Sequence, residues 1–85
     1  MNLQQHDITL AKIPKKVLKR LFSNKKPMKT GELVNELNLN LRSVRYALKV
    51  LEEMELIKRQ PDFNDLRTHY YYIPSTIFNQ LSAPL

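Results

Sequence analysis

Three residues, Asn38-Leu39-Asn40, interrupt two apolar stripes of helical period and leave the middle of this chain little choice of fold. Before them, Leu33, Val34 and Leu37 share one helix face. After them, Val44, Leu48 and Leu51 recur at i, i+4 and i+7, with Ala47 small enough for close approach. Asparagine tolerates the left-handed conformation that ends a helix, which suits Asn38, and its side-chain oxygen caps a following helix, which suits Asn40. The pattern predicts helices over 31–37 and 41–54 joined by a tight turn. Arg42, Arg45 and Lys49 fall on the side of the later helix opposite its apolar stripe.

An earlier helix is expected over 13–23, where Pro14 suits the first turn and Ile13, Val17 and Leu21 line up with Leu10, Leu18 and Phe22 alongside. Residues 1–12 have weak periodicity and read as an arm or short extra element that packs Ile8 and Leu10 on a neighbour. Met28 can form a minimal strand before Thr30, the expected N-cap of the 31–37 helix, whose Glu32 complements the helix dipole. Beyond the third helix, residues 56–60 read as a strand. Pro61, Asp62, Asn64 and Asp65 supply a turn over 61–66, and residues 67–73 read as a second strand of a hairpin. Alternation sends Tyr71 and Ile73 inward and Tyr70 and Tyr72 to the other face. Ser75 caps a final helix over 76–81. Its Ile77, Phe78 and Leu81 are too few to bury a face alone, so a dimer contact is the first expectation and packing on the first helix the second.

The chain has 85 residues, enough for one domain, and 42% of them are apolar, in the range of folded rather than disordered chains. It has no cysteine, and its two histidines, His6 and His69, lie far apart, so neither a disulfide nor a metal staple is expected. No apolar run reaches signal-peptide or membrane-helix length, which points to a cytoplasmic protein without a membrane partner. The single glycine excludes a Gly-rich phosphate loop, there is no cysteine nucleophile, and Glu52, Glu53 and Glu55 point around a helix instead of converging. An enzyme is not expected, nor a cofactor. The net charge is +6, but residues 1–30 carry eight basic side chains against Asp7 alone, while the remaining 55 residues net −1. Such a pole attracts polyanions; it would serve equally as a solvated, solubilising face.

The order helix, short strand, helix, turn, helix, hairpin resembles a winged helix-turn-helix. Over residues 30–74, Thr30-Gly31-Glu32-Leu33, Leu37-Asn38-Leu39-Asn40, Val44 and the run from Leu48 through Leu51-Glu52 to Leu56-Ile57 resemble the core of MarR- and ArsR-like regulators. Asp65-Leu66-Arg67 is similar to the Asp-x-Arg of the MarR wing. Glu55 and Asn38 stand where those families usually have glycine; asparagine tolerates that geometry well, glutamate less so. The long terminal helices that form the MarR dimer and ligand pocket have no counterpart in the sequence, so a small-molecule effector is not expected. The resemblance implies an α+β, mostly α, single domain: an arm over 1–12, a core over 13–73 with three helices and a two-stranded wing, and a C-terminal helix and tail over 74–85.

What such a fold implies is a homodimeric transcriptional regulator that reads double-stranded DNA. A helix fits the major groove, where arginine donates twice to guanine and tyrosine or serine reaches phosphate. Arg42, Ser43, Arg45, Tyr46 and Lys49 form the expected groove-facing set, with Arg45 and Tyr46 the best base readers, and the capping Asn40 is counted with them as DNA-binding. In the wing, Arg67, Thr68 and His69 flank a tip suited to the backbone or minor groove, with Asp65 orienting Arg67. Lys26, Lys29 and Thr30 precede the second helix and, with Lys15 and Lys16, are expected to position phosphates. Each of these residues alone also fits an ordinary solvated surface, and Tyr70–Tyr72 fits core and rim packing as well as base stacking. Two other functions use the same fold: a protein-interaction module with Leu41, Met54, Phe63 and Phe78 as an apolar patch, and an RNA-binding winged helix.

Overall fold

The turn at Asn38-Leu39-Asn40 joins two helices in the computed structural model, which describes residues 10–24 and 26–82. The elements are α1 (Lys12–Asn24), β1 (Met28–Lys29), α2 (Thr30–Leu37), α3 (Leu41–Glu53), β2 (Lys58–Asp62), β3 (Asp65–Tyr72) and α4 (Ser75–Ser82). Of the arm, Ile8 lies outside the described residues, while Leu10 packs at the edge of the core.

The two asparagines do the local work that their chemistry suggests. Asn38 takes φ 55°, ψ 45°, and the Leu39 N–H donates back to the Val34 carbonyl at 3.2 Å, satisfying an end of α2 that would otherwise be orphaned. Asn40 is extended, and its Oδ1 accepts from the Ser43 N–H at 2.7 Å. At the far end of α3 the Glu55 N–H donates to Glu52 and the Leu56 N–H to Leu51, with Glu55 at φ 62°. This double closure is normally built on glycine. The start of α2 differs from expectation: Lys29, not Thr30, is the extended residue before the helix, and its N–H donates to the Glu32 carboxylate at 2.8 Å. Glu32 therefore supplies the cap by reaching back, and Thr30 is already helical.

α1 lays Pro14, Val17, Leu18 and Leu21 against the Val44, Ala47, Leu48 and Leu51 face of α3, and α2 adds Leu33. Met28, Leu56 and Ile57 complete the core. Each such side chain contributes about 1.5–3 kcal/mol of burial. Arg20 of α1 is paired with Glu36 of α2 at the surface.

Leu56 and Ile57 are core residues and not strand, which corrects the expected 56–60 strand. The left-handed turn at Glu55 drops them straight into the interior, so β2 starts two residues later at Lys58. The strand is shifted toward the tip and the turn is shorter: Asp62 faces Asp65, Pro61 faces His69, and only Phe63 and Asn64 lie between the strands. Neither has positive φ, so this is not a type I′ tip; a bulge at Pro61/Asp62 and the Asp62 carboxylate, accepting from the Asn64 N–H at 2.9 Å, shape it instead. β1 pairs with β3 at Met28↔Tyr71 and Lys29↔Tyr70, giving an antiparallel sheet in the order β1-β3-β2. Thus the winged-helix hairpin has a third strand. Tyr71 and Ile73 pack on the core as alternation requires.

α4 folds back on the chain. Phe78 stacks on Phe22 of α1 with ring centroids 4.5 Å apart and planes 15° from parallel, and Ile77 and Leu81 pack at the core's edge. Packing on α1, the second expectation for these residues, is what the structure has.

Candidate nucleic-acid interface

The outward side of α3 follows directly from its buried side. With Val44, Ala47, Leu48 and Leu51 fixed inward, the helical period turns Arg42, Arg45, Tyr46 and Lys49 to solvent, and all four are exposed. Glu52, seven residues after Arg45, continues the same stripe.

An open groove of about 800 Å³ is lined by the wing residues Arg59, Arg67, Thr68, His69 and Tyr71 and by Lys29, Thr30, Gly31, Glu32 and Asn35 of β1 and α2. α3 contributes Arg45, Leu48, Lys49 and Glu52. The structure therefore brings together Arg45, Lys49, Arg67, Thr68, His69, Lys29 and Thr30 from the expected set. Arg42 and Tyr46 extend the α3 face outside this groove. Asn40 and Ser43 sit at the start of α3 and are tied to each other by the cap bond, and Lys26 is exposed in the loop before β1. Lys15 and Lys16 are not brought to this face: they lie on the side of α1 turned away from α3.

Two acids set the posture of the wing. Asp65 accepts from both the Nε and the backbone N–H of Arg67 at 3.1 Å, so the guanidinium is aimed while remaining 90% exposed. The Arg67 side-chain bond, followed by its backbone bond, holds the Asp65 carboxyl below the usual carboxylate range. Thr68 Oγ1 donates to the Asp65 carbonyl at 3.1 Å. Asp62 is buried at 6% exposure, and its carboxylate meets Lys29 Nζ at 2.8 Å. That contact lowers the Asp62 pKa and raises the Lys29 pKa, each charge favouring the other. Lys29 also lies 5.2 Å above the Tyr70 ring. Its charge is thus shared between fastening the wing to β1 and facing the groove.

Sequence reasoning missed Arg59, Glu52 and Asn35 as groove residues. Glu52 had a readable signal, the i+7 spacing from Arg45. Arg59 had none, because its place follows from the β2–β3 register that sets it opposite Tyr71, and there its Nε lies 3.4 Å from the Glu52 carboxylate. The proposed apolar patch is not assembled: Phe78 is stacked on Phe22, and the exposed Leu41 and Met54 lie at opposite ends of α3, about 20 Å apart along its axis. Among the described residues no three His, Cys, Asp or Glu side chains gather as metal ligands, and no helix is long and apolar enough to cross a membrane.

Comparison with solved structures places this arrangement among known folds. A mutant of ZitR from Lactococcus lactis superposes with a TM-score of 0.77 at 24% identity over 87% of this chain and 49% of that one. The adhesin competence repressor AdcR from Streptococcus pyogenes gives 0.76 at 23% identity over 92% and 56%. The ST1889 protein from the thermoacidophilic archaeon Sulfolobus tokodaii gives 0.73 at 26% identity over 85% and 69%. The chain thus spans about half the length of the ZitR and AdcR chains it matches. No curated protein sequence matches it significantly. The MarR family model matches residues 16–69, across the three-helix core and into the wing, and the chain belongs to the MarR family.

Proposed function

We propose that this chain is a sequence-specific, double-stranded DNA-binding transcriptional regulator of the cytoplasm that places α3 in the major groove and rests the β2–β3 wing on the backbone or in the minor groove. The observation that carries the reading is the groove itself: Arg45 and Lys49 from one helix and Arg67, Thr68 and His69 from the wing line one open surface. Membership of the MarR family supports it, as does the likeness of fold to the adhesin competence repressor AdcR. Arg45, mid-helix and exposed, is the base reader; Arg42 and Tyr46 extend its reach; Lys26, Lys29, Thr30, Asn40 and Ser43 set the phosphate register. Acting as a homodimer, it would set two recognition helices about 34 Å apart, one helical turn of DNA.

Fluorescence anisotropy on a mixed-sequence duplex across salt, with selection of the bound fraction, tests the reading. A steep salt slope and an enriched inverted repeat are expected. Arg45→Ala should weaken the selected site by about 1–3 kcal/mol, roughly tenfold or more, and relax preference at one base pair. Unchanged affinity in that variant, or no enriched sequence, would sink the proposal.

A further inference from the structure

α1 carries the same arrangement of side chains as α3. With Lys12 set on Arg42, Lys15 falls on Arg45, Lys16 on Tyr46 and Lys19 on Lys49, while the buried Pro14, Val17, Leu18 and Leu21 fall on the buried Val44, Ala47, Leu48 and Leu51. The two helices pack apolar face to apolar face, so their basic faces look away from each other on opposite sides of the core. The α1 face is a stripe of four exposed lysines at i, i+3, i+4 and i+7, about 10 Å long, on a helix without an acidic residue. None of the four is in an ion pair among the described residues, so their mutual repulsion has no local counter-charge.

The chemistry of the face selects its occupant. Lysines are point charges that suit phosphate, and this face has no arginine fork and no wing to read bases. A helix lying in a membrane surface needs an apolar side to insert, and that of α1 is already in the core. We propose that the lysine face of α1 holds the phosphate backbone of a second DNA segment while α3 occupies the first, so that the protein bridges two duplexes; this rests on the reading of α3 as duplex-binding.

The test mixes a donor-labelled and an acceptor-labelled mixed-sequence duplex with the full chain. Energy transfer between duplexes reads bridging, and anisotropy of one duplex alone reads α3 binding. A variant with Lys12→Gln, Lys15→Gln, Lys16→Gln and Lys19→Gln keeps helix propensity and is expected to lose bridging by at least about tenfold while holding single-duplex affinity within about threefold. Bridging that survives the four substitutions, or a wild-type protein that binds one duplex and never bridges, overturns the inference and leaves the proposed function intact. Equal loss of both signals also overturns it, since α1 and α3 would then serve one duplex. A wild type that binds no duplex overturns both readings.

Discussion

Glu55 holds a backbone conformation that costs an L-residue about 1–2 kcal/mol, whereas Asn38, in the same left-handed region, tolerates it through its short polar side chain. Glycine would remove the steric cost at position 55 but lose more chain entropy on folding. Glu55→Gly is therefore expected to stabilise the protein by about 0.5–1 kcal/mol, seen as a higher urea midpoint at unchanged slope, and Asn38→Gly to change it little. A lower midpoint for Glu55→Gly would show that the left-handed turn is not strained. The Asn40 side chain acts through one bond, its Oδ1 accepting from the Ser43 N–H, and Asn40→Ala should cost about 1 kcal/mol in the same measurement. Both asparagines were legible in the sequence because capping depends on residues three or four positions away. Thr30 was misread as a cap because the helix starts one residue earlier than expected: Lys29 is the extended residue, and the Glu32 carboxylate reaches back to accept from its N–H.

The Lys29–Asp62 ion pair ties the wing to β1 in addition to the β1–β3 pairing, and that tie has a pH signature. Asp62 titrates below its ordinary value in the folded protein, so the unfolded chain takes up its proton first as pH falls. The contribution is complete above the unfolded carboxylate range, roughly pH 4–5, and is lost as pH drops through the folded value. Lys29 is the mirror case: its raised pKa makes its contribution complete below about pH 10 and lost as pH rises through the folded value. Stability followed by chemical denaturation across pH should fall at both edges, and Asp62→Asn should flatten both; an Asp62→Asn profile parallel to the wild type would rule the tie out. The tie was invisible in the sequence, where Asp62 reads as a turn residue, because β1 and the wing tip are far apart along the chain. α4 poses the same problem, since Ile77, Phe78 and Leu81 announce an apolar face without naming what it meets. Phe78→Ala should cost about 1–2 kcal/mol through lost burial and stacking on Phe22, with α3 and the wing unchanged in amide exchange.

At the scale of the molecule, charge and apolar pattern separate cleanly: three helices bury one interior, α1 and α3 leave basic stripes outside, and α2 leaves Glu32 and Glu36. The helical order and the turn were readable from periodicity. The boundary between core and wing was not, because Leu56-Ile57 ahead of Lys58 looks alike whether it starts a strand or plugs the interior. The groove was half legible: Arg45 and Lys49 follow from helical phase, whereas their meeting with Arg59 and Arg67 depends on strand register. The sheet order β1-β3-β2 leaves two outer strands, one of two residues and the other carrying Lys58, Arg59 and Pro61. A strand that short offers almost nothing to pair with. Repulsion between like charges, together with a proline nitrogen that has no hydrogen to donate, discourages copies of the other from zipping edge to edge. Copies of the protein can therefore be crowded together without seeding fibrils through their own sheets.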